Sequence, residues 1–217
     1  MAAKAFVGRH RELDELSSAL AEVRAGQGAL FIVVGGAGMG KTRFADEVTR
    51  AARAGGLQTA WGRCWETGGA PAYWPFMQVL RELVRGQGAS LFETAAADAA
   101  ADAAHARFRL FDAVTVVLRE AAARAPLLVV LDDLHMADPS SLALLHFVAR
   151  NLRGMPVLLL CTYRDEEARL RPEAGETLAD IAREGTYLPL APLSDDDVAT
   201  LVEPLAGGTA DRALIEE

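Results

Sequence analysis

An α/β fold built on a parallel sheet is what this sequence predicts, and three observations carry the prediction. Short continuous apolar runs at Ala29 to Val34, Leu127 to Leu131 and Val157 to Tyr163 have the length and residue content of strands buried on both faces. Between them lie stretches whose apolar residues fall three and four apart, the period of a helix with one buried side. The first run passes through a glycine-rich loop into such a helix and then into another strand-like run, an order that leads to parallel pairing.

Taken in order, Leu13, Leu16, Leu20 and Val23 make Glu12 to Arg24 an amphipathic helix, ended by Gly26 and Gly28. The strand Ala29 to Val34 follows. Lys41 to Ala54 returns to helical spacing through Phe44, Ala45 and Val48 and stops at Gly55-Gly56, after which Gln58 to Cys64 is a second strand. Trp74 to Val84 reads as a helix entered at Pro75 and closed near Gly86. The Ala/Asp-rich stretch Thr94 to Ala106 lacks large apolar anchors and reads either as an exposed helix or as a mobile connection. Packed-helix spacing resumes from Phe108 to Leu118, and Leu127 to Leu131 is expected to be a central strand.

Further on, Asp138-Pro139 pairs a helix N-cap with proline at the first helical position, and Leu142, Leu145 and Val148 face inward. Pro156 precedes the strand Val157 to Tyr163, and a weaker strand is expected at Thr186 to Leu190. Ser194 and Asp197 have capping-box spacing, with Leu193 and Val198 as the apolar staple, so a helix should run to about Leu205. Ala210 to Glu217 begin another helix and stop without a C-cap, so the chain is expected to end within an element.

The 217 residues suffice to bury a sizeable core, as one large domain or a domain plus part of a second. Twenty-two basic against 30 acidic residues give a net charge of −8, with no basic run, so this stretch is not expected to bind nucleic acid by itself. Cys64 and Cys161 stand in apolar or aromatic surroundings and read as buried reduced thiols, consistent with a cytoplasmic compartment. Met1 to Glu12 has no signal-peptide core, and the apolar run Ala125 to Leu131 is far short of the roughly 20 residues that span a bilayer. No membrane role is expected.

Gly35-Gly36-Ala37-Gly38-Met39-Gly40-Lys41-Thr42 has the spacing of a P-loop, placed after a strand and opening a helix. Glycines let backbone N–H groups converge on phosphate oxygens, and the helix N-terminus adds partial positive charge. Lys41 then reaches the β- and γ-phosphates of a nucleoside triphosphate, Thr42 ligates Mg2+, and Arg43 is counted with the nucleotide-binding residues. Leu127-Leu128-Val129-Val130-Leu131-Asp132-Asp133 ends a buried strand with two acids, as a Walker B segment does. Asp132 is the candidate metal ligand and Asp133 the candidate base for the attacking water; the bland reading is a strand-terminal turn.

Arg164 follows the next apolar strand. It either meets the γ-phosphate at the same crevice or forms a surface pair with Asp165. Trp61, Trp65, Tyr73, Trp74 and Phe76 read as core packing. His135, beside the acids, is either a phosphate-side contact or a loop histidine without function.

Taken together, these features resemble the STAND signalling ATPases of the AAA+ superfamily, and more closely the ATPase module of LuxR-type large ATP-binding transcriptional regulators. The resembling segments are Phe6-Val7-Gly8-Arg9, the P-loop, Gly69-Ala70-Pro71-Ala72-Tyr73-Trp74-Pro75, Leu131-Asp132-Asp133-Leu134-His135, Thr162-Tyr163-Arg164-Asp165 and Leu190-Ala191-Pro192-Leu193-Ser194. The resemblance implies a five-stranded parallel sheet sandwiched by helices, with the P-loop strand between its neighbours. It implies a P-loop NTPase core over residues 1–192 and the start of a helical lid over residues 193–217.

The same resemblance implies that Val7 and Arg9 lie at the adenine and ribose end of the nucleotide, that Arg164 is a sensor arginine, and that Asp133 takes the place of a more usual glutamate. Met136 stands where relatives carry tryptophan. The Gly-x-Pro turn of the lid, the winged helix, the sensor repeats and the DNA-binding helix-turn-helix of such regulators have no counterpart within Met1 to Glu217, so the nucleotide clamp is expected to be incomplete there.

The expected function is a switch that binds ATP or ADP with Mg2+, self-associates with ATP and hydrolyses it slowly. Direct contact with DNA is left to another domain. A non-catalytic nucleotide-dependent scaffold and a small-molecule phosphotransferase are the alternatives; the second needs an acceptor pocket, for which the sequence offers no constellation.

Overall fold

Five strands, β1 (Ala29–Val34), β2 (Gln58–Arg63), β3 (Leu127–Asp132), β4 (Val157–Tyr163) and β5 (Thr186–Pro189), form one parallel sheet in the order β2-β3-β4-β1-β5. The structure is a computed structural model and describes residues 6–65, 69–84, 91–93 and 102–206. The helix anticipated at Ala210 to Glu217, most of the Ala/Asp-rich stretch and the helix stop at Gly86 lie outside the described residues.

Side chains alternate across a strand, and here both alternating sets are apolar, so the sheet buries two cores. Leu30, Ile32, Val34, Leu127, Val129, Leu131, Val157, Leu159 and Cys161 face one core with α3 (Trp74–Leu83), α4 (Ala103–Arg124), α5 (Pro139–Arg150) and α7 (Pro172–Ala182). Phe31, Val33, Leu128, Val130, Leu158 and Leu160 face the other, covered by α1 (His10–Arg24) and α2 (Lys41–Ala54). The sheet is thus sandwiched by helices, with β1 between β4 and β5.

Local chemistry sets the element ends. Asp138 caps α5 by accepting the Ser141 N–H at 3.0 Å, with Pro139 at the first helical position. Asp102 caps α4 through the N–H groups of Ala104 and His105, so this helix begins earlier and ends later than the anticipated Phe108 to Leu118. Ser194 accepts the Asp197 N–H at 3.2 Å and donates to its carboxylate at 2.8 Å, opening α8 (Asp195–Ala206) with the anticipated capping box. Two helices were not anticipated, α6 (Asp165–Arg169) and α7, which together connect β4 to β5.

The outer edge of β2 is closed by side chains of α3. Gln78 donates to the Arg63 carbonyl at 2.8 Å and accepts the Arg63 N–H at 3.4 Å, while Glu82 accepts the Trp61 N–H at 3.3 Å. These bonds satisfy an edge that would otherwise offer unpaired backbone groups. They also fix where Arg63 leaves the sheet.

Candidate functional site

Parallel strands bring their carboxyl ends to one edge of the sheet, and that edge is where the loops after β1, β3 and β4 meet. After Val34 the chain turns through the glycine loop, whose exposed tip is formed by Ala37, Gly38 and Gly40. Gly38 and Gly40 have φ of 77° and 81°, a left-handed backbone that side-chain-bearing residues rarely adopt. That backbone directs the loop into the start of α2.

Lys41 is only 6% exposed, and its Nζ donates to the carbonyls of Gly35 at 2.8 Å and Gly36 at 2.7 Å. Burial holds its pKa below the usual 10.5. Arg164 pushes in the same direction, and Asp133, Asp132 and Glu167 oppose them. Nζ, held by two loop carbonyls, is placed to meet an anion over the loop.

Thr42, next in α2, donates to Asp132 Oδ2 at 3.0 Å. Asp132 is fully buried at the end of β3 and also accepts from Thr162 of β4 at 2.6 Å. Thr162 in turn accepts the backbone N–H of Asp133 at 3.0 Å. Two threonines from neighbouring strands and helix therefore orient one carboxylate. A hydroxyl and a carboxylate are hard oxygen donors of the kind that hold Mg2+, and a cation already stands against this carboxylate: Arg63 approaches Asp132 Oδ2 at 3.1 to 3.2 Å.

Arg63 was missed in the sequence reading. Its signal was its place at the end of β2, where it pairs in register with Asp132 on β3.

Asp133 takes a left-handed backbone with φ of 61°, a conformation that aspartate tolerates better than most residues. The turn that follows, Leu134–Met136, is held by Arg171, which donates to the His135 carbonyl at 2.6 Å and, more weakly, to that of Ala137 at 3.4 Å.

His135 is 1% exposed, and its Nδ1 accepts the Arg164 N–H at 3.4 Å. Burial lowers its pKa from 6.5. Arg164 emerges from β4 at the shared edge. Its Nη1 bonds Glu167 Oε1 at 2.6 Å, and Asp165 pairs with Arg169.

The segment ahead of α1 closes onto the same loop. Arg9, with a buried side chain, donates to the Met39 carbonyl at 3.4 Å and lies 3.6 Å from Glu12. Val7 precedes it, half-buried. Gly8, with φ of 71°, lets this segment come so close to α8 that a Cβ there would stand 2.9 Å from the Asp197 carboxylate. Arg43 is half-buried on α2, turned toward a recess it shares with Arg50, Arg53 and Trp61.

Of the aromatic residues read as core, Phe76 is buried and Tyr73 packs on Phe92 and Phe111. Trp74 stacks under Arg81, and Trp65 is 58% exposed, so it is not a core residue. Cys64 and Cys161 are buried free thiols, and burial pushes Cys64 up to about 12. Among the described residues no helix is long and apolar enough to cross a membrane.

The chain is similar to several known proteins. An uncharacterized protein of Rhizobium meliloti (strain 1021) is 27% identical over 228 residues, which cover 91% of this chain and 21% of that protein. Among solved structures, the Aeropyrum pernix ORC1 protein in complex with DNA has a TM-score of 0.60 at 17% identity, covering 94% of this chain and 50% of its own. A STAND protein with a tetratricopeptide repeat sensor from Pyrococcus horikoshii has a TM-score of 0.52 at 16% identity, covering 99% of this chain and 28% of its own.

The chain thus spans about a fifth of the curated relative and between about a quarter and a half of these structures. At such identities the solved structures speak to the fold alone. The AAA ATPase domain model matches residues 5–160, from the segment before α1 through most of β4. With most of its length matched, the chain belongs to the AAA ATPase domain family and is a nucleotide-binding ATPase module.

Proposed function

We propose that this chain is the ATP-driven switch module of a signalling or transcriptional regulator of the LuxR type. In this reading the loop from Gly35 to Thr42, through its backbone at Gly35, Gly36, Ala37, Gly38, Met39 and Gly40, wraps the phosphates of ATP or ADP. Lys41 neutralises the β- and γ-phosphates, and Thr42 and Asp132 hold Mg2+. Asp133 positions and deprotonates the attacking water, and Arg164 meets the γ-phosphate. Val7 and Arg9 lie toward the base and ribose, and Arg43 lies beside the phosphates.

Bound Mg2+ supplies charge neutralisation at the phosphates. The chain's own residues do the positioning. Residues 1–192 act as the core, and residues 193–217 begin a lid over the base. ATP favours a self-associating state and slow hydrolysis ends it, because a nucleotide shifts the protein only through its different contacts with the two states. The setting is the cytoplasm, and DNA is reached through another domain of the longer protein rather than through this acidic module.

The observation that carries the reading is the convergence at one point of three elements distant in sequence. Thr42 of α2, Asp132 of β3 and Thr162 of β4 share one buried carboxylate, with Lys41 folded over the adjoining loop. That is the arrangement a metal–triphosphate requires.

Calorimetric titration of ATP and ADP into wild type and Lys41→Ala tests it. Wild type should bind both nucleotides, and Lys41→Ala should bind ATP at least about tenfold more weakly, the loss of a charge-assisted contact. Equal binding by the two proteins would sink the proposal.

A further inference from the structure

Arg164 reaches the carboxyl edge of the sheet already engaged. Its Nη1 donates to Glu167 Oε1 at 2.6 Å, within a single turn of α6. The other oxygen of that carboxylate, Oε2, stands 3.1 Å from Nε2 of His135. The approach is outside hydrogen-bonding geometry, and Nε2, buried with its ring, has no hydrogen-bond partner among the described residues. One acid thus stands between a guanidinium that it holds and a buried imidazole nitrogen that it does not yet bond.

The charges around this acid give the arrangement a direction. Lys41 and Arg164 are close enough for each to feel the other, and Glu167 is among the acids that offset them. A terminal phosphate placed over the glycine loop presents the same chemistry to Arg164 as Glu167 does: an anion with oxygens matched to a guanidinium fork. It also repels the carboxylate. A diphosphate ends short of that place and leaves the Arg164–Glu167 pair intact.

We propose that Glu167 is a specificity-determining residue for the third phosphate, the counter-ion that holds Arg164 until a γ-phosphate displaces it, whereupon the freed carboxylate turns to His135 Nε2. This rests on the reading of Arg164 as the γ-phosphate contact. Glu167 then makes ATP binding weaker than the bare site would allow and leaves ADP binding nearly unchanged. It couples the presence of the third phosphate to α6 and, through His135, to the turn that carries Asp133. The device works only because the two anions compete for one cation.

The test is a titration of ATP and of ADP into the full 217-residue chain as wild type, Glu167→Gln, Arg164→Ala and the double variant, with Lys41→Ala alongside. The Glu167 side chain is 38% exposed, so Glu167→Gln should fold normally, which a thermal melt checks. Glu167→Gln should raise the ratio of ATP to ADP affinity about fivefold, the effect of releasing one half-exposed charged hydrogen bond. In the Arg164→Ala background the same substitution should change the ratio little.

A ratio that stays level or falls in Glu167→Gln, or that rises equally in the Arg164→Ala background, overturns the proposal while leaving the nucleotide site standing. A wild type that binds no ATP, or a Lys41→Ala variant that binds it as well as wild type, overturns both readings together.

Discussion

Asp132 shows how a single buried charge is made tolerable. A carboxylate with no solvent exposure would be costly if left bare, and here Thr42, Thr162 and Arg63 supply donors from three elements. His135 is the opposite case, a buried imidazole whose charged form is disfavoured by its surroundings. Its native pKa is lowered below 6.5 while the unfolded chain retains that value, so below about pH 6.5 the unfolded state binds the extra proton and stability falls. Glu167, whose carboxyl is held below its usual range chiefly by the bond from Arg164, adds a further loss only at more acid pH. Urea midpoints measured at about pH 7.5 and 5.5 should therefore differ in wild type and differ less in His135→Asn. An unchanged pH dependence in that variant would remove His135 as the cause.

Among the elements, β4 is held by packing on both faces. All seven of its residues are buried, it pairs with both β1 and β3, and Leu159 faces the larger core with no exposure. Leu159→Ala should cost about 2 to 5 kcal/mol in denaturant unfolding, transfer plus cavity, and a loss below about 1 kcal/mol would mean that the site collapses around the smaller residue. Elements of this kind were legible in the sequence because continuous apolar runs have few other uses: β1, α2 and β4 fall at the anticipated residues. The five residues of α6 are too few to display a period, so that helix was invisible. For α7 the signal existed, since Pro172 opens it and Ala174, Leu178 and Ile181 recur at helical spacing. Arg63 and Glu167 escaped notice for a different reason. Each acts through a contact set by strand register or by one helical turn, and neither belongs to a motif that spacing alone reveals.

For the whole molecule, the sheet order β2-β3-β4-β1-β5 is what turns scattered motifs into one site. It sets β4 between β1 and β3, so Thr162 and Arg164 leave the sheet beside both the glycine loop and the two acids. Gly8 lets the segment before α1 approach Asp197 of α8, the element beyond the sheet. In the proposed hydrolysis these features converge on Asp133 as the carboxylate that takes the proton of the attacking water. Asparagine also adopts the left-handed backbone that position 133 requires, so Asp133→Asn removes the basic oxygen with little strain. The decisive measurement is phosphate release from ATP with Mg2+ by wild type and Asp133→Asn, with bound ATP measured in parallel. Wild type should release phosphate slowly, and Asp133→Asn should keep ATP binding with release reduced about a hundredfold or more; turnover left unchanged by Asp133→Asn would rule out that role for Asp133.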